Sequence, residues 1–138
     1  MESKRFEINV KSELKNLSVI GDYIAETLNR FSSDSMTINQ VKLAVDEACT
    51  NIMKHAYSGR TGDISLILEL VNGDLICTIK DKGRHFDPSS IPPPDLSSGL
   101  DQRKVGGLGI YLIRELMDEV SYSFNQKGNV LTMRKRLS

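Results

Sequence analysis

Two runs of alternating apolar residues meet at Asn72-Gly73, and no other stretch of the chain restricts its fold as much. Ile64, Leu66, Leu68 and Leu70 recur at every second position before the junction; Leu75, Cys77 and Ile79 do so after it. A period of two puts each set on one face of a pleated strand. Asn-Gly supplies the positive-φ positions of a tight turn, so the two runs predict neighbouring antiparallel strands. Phe6, Ile8 and Val10 predict a further short strand. Val120, Tyr122 and Phe124, a turn at Lys127-Gly128-Asn129 and the run from Val130 to Arg136 predict a second hairpin.

Elsewhere the apolar period is that of a helix. Leu17, Ile20, Ile24, Leu28 and Phe31 form an amphipathic stripe over about Ser12 to Phe31. Thr37 and Gln40 have capping-box spacing, with Met36 and Val41 placed as a hydrophobic staple. The helix they start carries Val41, Val45, Ala48, Ile52 and Ala56 and ends at Tyr57-Ser58-Gly59. A third helix opens at Gly106-Gly107-Leu108-Gly109 and continues through Ile110, Ile113, Leu116 and Met117. Local hairpins with helices between them predict an α+β sandwich, its helices covering one sheet face. The 138 residues show no internal repeat and suit one domain.

Composition excludes several classes of function. Lys plus Arg is 18 and Asp plus Glu is 18, a balance unlike the basic excess of proteins that live on nucleic acid or anionic lipid. No apolar run approaches the ~18 residues of a membrane span, and Met1 to Arg5 leads into a strand without an apolar signal core. Cys49 and Cys77 sit in apolar segments without CxxC spacing, which points away from zinc or a disulfide scaffold and towards a reducing cytoplasm.

Three clusters could carry chemistry. Glu47 and Asn51 are four apart and share a helix face, Asn51 at the edge of the apolar arc. Asp81-Lys82-Gly83 ends a strand; its carboxylate could accept from an exocyclic amine such as that of adenine. There Gly83 could turn with positive φ and leave room for a flat ring. Gly106 to Gly109 exposes backbone N–H groups at a helix start, an anion seat suited to a polyphosphate. Taken singly, each pattern also describes something plainer: a solvated helix face, an Asp-x-Gly turn, a hinge. Between the second and third lies an aperiodic stretch from Arg84 to Val105 that holds all four prolines, Pro88, Pro92, Pro93 and Pro94. Loops of that length in a small domain are usually functional or disordered.

In this order the clusters resemble the N, G1 and G2 boxes of the GHKL ATPase superfamily, the Bergerat fold, with Ala44 to Tyr57 as the N box and the 84–105 stretch as its ATP lid. The likeness spans nearly the whole chain, including Glu115 to Val120, and is strongest to bacterial anti-sigma-factor serine-protein kinases. The resemblance implies a two-layer sandwich on a mixed, mostly antiparallel sheet, with ATP and Mg2+ as cofactors. It implies Glu47 as general base, Asn51 as Mg2+ ligand, and Asp81 with Gly83 at the adenine. Gly106, Gly107, Leu108 and Gly109 would meet the phosphates, with Arg103 and Lys104 adding positive charge. His55 would line the cleft edge or cap the helix end. His85 stands where many G1 boxes have a second glycine, ahead of Phe86-Asp87-Pro88. Arg134-Lys135-Arg136 reads as a solvated strand face.

The activity implied is ATP-dependent serine/threonine phosphorylation of a small anti-anti-sigma (STAS-type) protein, with a sigma factor held in another nucleotide state. The protein would be a cytoplasmic homodimer. Two other readings stay open: a nucleotide-regulated module that sequesters a partner without phosphoryl transfer, and the catalytic fragment of a histidine kinase.

Overall fold

In the computed structural model, which describes residues 4–31, 34–88 and 109–137, five strands form one sheet. The order along the chain is β1 (Lys4–Lys11), α1 (Asn16–Asn29), α2 (Ser35–Asn51), a π-helical turn (Ile52–Ala56), β2 (Asp63–Val71) and β3 (Asp74–Asp81). After these come α3 (Gly109–Leu116), β4 (Glu119–Asn125) and β5 (Gly128–Arg136). Across the sheet the order is β1-β2-β3-β5-β4, and every pairing among the described residues is antiparallel. β3 is therefore the central strand, and Asp81 is its last residue.

The expected α+β sandwich is present. Ile64, Leu66, Leu68, Leu75, Cys77, Ile79, Leu131 and Met133 point to one side, where they join Ile20, Ile24, Leu28, Val41, Val45, Ala48 and Ile113 in a single core. Burying each such Leu or Ile side chain contributes roughly 1.5–3 kcal/mol, which makes the helix–sheet interface a firm platform. Asn72 and Gly73 take φ of 54 and 85, the turn that the hairpin requires. Cys49 and Cys77 are free and fully buried, and burial pushes both thiols up to about 12, so they pack as small apolar groups. No helix among the described residues is long and apolar enough to cross a membrane.

Several boundaries differ from the sequence expectation. α1 starts at Asn16 rather than near Ser12, because Ser12 is held by residues 60–62. Its N–H donates to Gly62 O (2.8 Å), and its hydroxyl accepts from Gly62 N (2.8 Å) and donates to Arg60 O (3.2 Å). α2 is capped by Asp34, whose carboxylate accepts from Thr37 N at 2.7 Å, and Met36 stays 70% exposed instead of stapling to Val41. A carboxylate is the stronger acceptor at a positive helix start, and capping there adds helical residues ahead of Thr37. The bond to Thr37 holds the Asp34 carboxyl below its ordinary value. Residues 106–108, expected to open α3, lie outside the described residues.

The turn of the last hairpin is at Gln126-Lys127, so Gly128 and Asn129 belong to β5. Gly128 has φ 133, and a Cβ there would stand 1.9 Å from Asp81 O. The first residue of β5 thus lies directly against the last carbonyl of β3, and only glycine permits that approach. Gly128→Ala should destabilise the protein by about 3 kcal/mol or more, whereas Gly73→Ala, at φ 85 with open space around it, should cost about 1 kcal/mol. Urea unfolding of both variants checks this; equal losses would mean that the close approach does not matter.

Candidate functional site

The end of α2 is built to meet the end of β3. Directly after Asn51 the helix widens into a π-helical turn, with Tyr57 N donating to Ile52 O at 3.0 Å. Such turns are uncommon and concentrate at functional sites. Ser58 and Gly59, with φ of 52 and 84, then terminate it. Tyr57 fastens this terminus to the sheet: its hydroxyl donates to Asp63 O (2.6 Å) and accepts from Lys82 N (2.8 Å). Arg84 N donates to Ala56 O (2.9 Å) and Arg84 Nε to His55 O (2.8 Å), which satisfies carbonyls that a helix end leaves open.

Gly83 corrects the sequence reading. It is not among the positive-φ glycines, and a Cβ on it would fall 2.6 Å from Ala56 O. The missing side chain makes room for the helix terminus rather than for a left-handed turn. Two backbones touch there, which ties the helical turn after Asn51 to the chain just past Asp81.

Asn51 and Asp81 line one pocket, together with Ala48, Ile52, Phe86, Pro88, Ile113, Tyr122, Asn129 and Leu131. Its enclosed room is ≈ 20 Å³, about one water, inside a concavity of ≈ 320 Å³ that reaches solvent. Asn51 is 2% exposed, and among the described residues neither its Oδ1 nor its Nδ2 has a hydrogen-bond partner. An unmet buried amide costs about 1–3 kcal/mol, so a side chain kept in that state points to a ligand. Asp81 is buried as well; its Oδ1 accepts from Gly83 N (2.9 Å) and from Asn129 Nδ2 (2.9 Å). Burial raises the Asp81 carboxyl above its ordinary value, and those two donors pull it back.

The other predicted residues divide clearly. Glu47 is half-buried, one helical turn before Asn51, and is not among the residues lining the pocket. Burial, with the charge of Asp46 behind it, raises its carboxyl above the usual glutamate value. His55 is at the pocket edge, stacked on Phe86 with ring centroids 4.6 Å apart and planes 16° apart. Burial and the charges of Lys54 and Arg84 lower its pKa. Gly109 opens α3, whose Ile113 reaches the pocket wall. Arg103, Lys104, Gly106, Gly107 and Leu108 lie outside the described residues, as does the expected lid beyond Pro88. His85 packs its ring against Phe124 at 4.2 Å, with Nε2 3.3 Å from Asn125 O. In the basic run, Arg134 pairs with Asp74 and Glu119, and Lys135 Nζ donates to Leu116 O. A larger concavity of ≈ 860 Å³, between α1 and α2, contains none of the predicted site residues.

Three lining residues were not singled out from sequence: Phe86, Tyr122 and Asn129. Asn129 bonds to Asp81, 48 positions away. Its one local clue is the glycine before it, which reads equally well as a turn.

Comparison with known proteins bears on the fold and the family. A family model described as histidine kinase-like ATPase domain matches residues 10–135. The chain is 30% identical over 132 residues to the serine-protein kinase RsbW of Bacillus cereus (strain AH820), covering 93% of this chain and 82% of that protein. It is 34% identical over 143 residues to the serine-protein kinase RsbW of Staphylococcus aureus (strain MSSA476), covering 98% and 89%. The crystal structure of RsbU and RsbW domains from Mycobacterium tuberculosis superposes with a TM-score of 0.71 at 17% identity, over 97% of this chain and 32% of that one. That last likeness concerns the fold alone.

If Asn51 is held buried for a ligand, an apolar residue of similar size should suit the ligand-free protein better. Asn51→Leu should stabilise it by about 1 kcal/mol or more in denaturant unfolding without nucleotide. A loss of stability would show that the amide is already satisfied.

Proposed function

The chain belongs to the histidine kinase-like ATPase domain family and, within it, to the serine-protein kinases represented by RsbW; from this premise we propose that its pocket binds ATP with Mg2+ and passes the γ-phosphoryl group to a hydroxyl of a small partner protein. The observation that carries the reading is the pairing, in one pocket, of a buried carboxylate with a buried amide that has no partner among the described residues. Asp81 is the acceptor for the adenine amine, through the oxygen that Gly83 and Asn129 leave free of their bonds. Asn51 offers an amide oxygen, a hard donor suited to Mg2+. Mg2+ held by Asn51 would supply positive charge to offset that of the phosphates. Gly106, Gly107, Leu108 and Gly109 would offer backbone N–H groups to the phosphates, and Arg103 and Lys104 would add positive charge. Glu47 takes the proton of the attacking serine or threonine hydroxyl. Its place outside the pocket lining suits a base that works on an incoming protein rather than on the nucleotide.

The partner in this reading is an anti-anti-sigma protein of the STAS type, with a sigma factor or similar regulator as the second ligand and a homodimer as the working form in the cytoplasm. Nucleotide state decides which partner is held.

Glu47→Ala should leave ATP binding within about twofold and slow transfer of label from γ-labelled ATP to the antagonist protein by about 10²-fold or more. Loss of ATP binding as well would show that Glu47 belongs to the nucleotide site. A base must be deprotonated to act, and Glu47 has a raised pKa, so transfer by the unaltered protein should fall on acidification above the ordinary glutamate range. A rate profile that stays flat on acidification until the ordinary glutamate range is reached would remove Glu47 from that role.

A further inference from the structure

Asn129 is the most fully bonded side chain in the pocket. Its Nδ2 donates to Asp81 Oδ1 (2.9 Å) and to Arg84 O (2.8 Å), and its Oδ1 accepts from Phe86 N (3.3 Å) and from the Tyr122 hydroxyl. A backbone carbonyl can only accept and a backbone N–H can only donate, so Arg84 O and Phe86 N leave the amide one orientation. That orientation turns an N–H towards Asp81. With Gly83 N it places two donors on Oδ1, which favours the ionised carboxylate, and an ionised Asp81 offers its other oxygen to a ligand only as an acceptor.

We propose that Asn129 is a positioning residue that sets which purine the pocket accepts, by locking Asp81 as a hydrogen-bond acceptor towards the base. An acceptor matches the 6-amino group of adenine and opposes the 6-oxo group of hypoxanthine or guanine. A site built around a buried acceptor discriminates strongly, because the wrong base leaves that acceptor unpaired. Tyr122 supports the orientation from the far side of the amide. The inference rests on the nucleotide reading of Asp81 and goes beyond it, since it assigns selectivity to a residue that need not touch the nucleotide.

Asn129→Asp keeps the size and replaces the N–H by a second carboxyl group facing both Asp81 and Arg84 O. Two facing carboxyls hold one proton between them, so Asp81 loses the N–H donor that favours its ionised form and becomes a weaker acceptor for the amine of adenine. Calorimetric titration with ATP and with inosine triphosphate, each with Mg2+, should show the unaltered protein preferring ATP. The Asn129→Asp variant should lose at least tenfold of that preference, mainly through weaker ATP binding. Tyr122→Phe, a milder change that keeps both backbone bonds to the amide, should lower the preference less and in the same direction. It decides alone if circular dichroism shows Asn129→Asp unfolded. Equal weakening of both nucleotides, with the ratio unchanged, would overturn the assignment and leave Asn129 a purely structural residue. No ATP binding by the unaltered protein would instead overturn the nucleotide reading, and the assignment with it.

Discussion

The turn after β3 rests on the last residue of the helical segment that carries Asn51, with no side chain between the two backbones. A methyl group at Gly83 would sit 2.6 Å from Ala56 O, and the neighbouring Arg84 N already donates to that same carbonyl at 2.9 Å. Helix and sheet layers of a sandwich usually meet through side chains, whose rotamers allow the layers some play. Here the contact is main chain to main chain. Tyr57 adds two hydrogen bonds across the same junction, to Asp63 O and from Lys82 N. The separation of Asn51 from Asp81 is thus a property of the backbone, which suits a pocket that must present two polar groups to one ligand.

This junction also accounts for the mixture of burial and polarity in the pocket. Two of the few buried polar residues of the core, Asn51 and Asp81, lie among Ala48, Ile52, Ile113 and Leu131. Low local polarity strengthens any hydrogen bond formed there and penalises any left unmade. Asp81 shows the balance directly: burial raises its carboxyl while Asn129 and the Gly83 N–H lower it. The chain carries as many acidic as basic residues, so attraction for a phosphate has to arise from local placement rather than from the field of the whole protein.

How far the sequence discloses this depends on the range of the interaction concerned. Alternating residues and Asn72-Gly73 placed β2, β3 and their turn because strand faces and hairpins are local properties. The 3.6-residue stripes placed α1 and α2, and their first residues went astray where a side chain found a different partner: Ser12 at Gly62, Asp34 at Thr37. Asn51 and Asp81 were legible from motif order alone, and the structure brings them into one pocket. Gly83 was legible as a necessary glycine, but not the reason for it, which lies at Ala56. Asn129, Tyr122 and Phe86 are legible as a turn residue, a strand position and part of a loop motif, but their meeting at the pocket is not. Phe86 bonds to Tyr122 and Asn129 across 36 and 43 positions, and Asn129 to Asp81 across 48.

The pocket holds two asparagines in opposite conditions, and the contrast distinguishes their roles. Every donor and acceptor position used by Asn129 is answered by Asp81, Arg84, Phe86 or Tyr122, so its orientation is settled by the protein itself. Asn51, equally buried, is answered by none of the described residues. Were both residues merely structural, the unpartnered one would be a defect that an apolar side chain could repair. Were both meant for a ligand, the bonded one would have to break four hydrogen bonds to reach it. One asparagine therefore belongs to the frame and one to the ligand, and the carboxylate of Asp81, bonded on Oδ1 by the frame, stands between them.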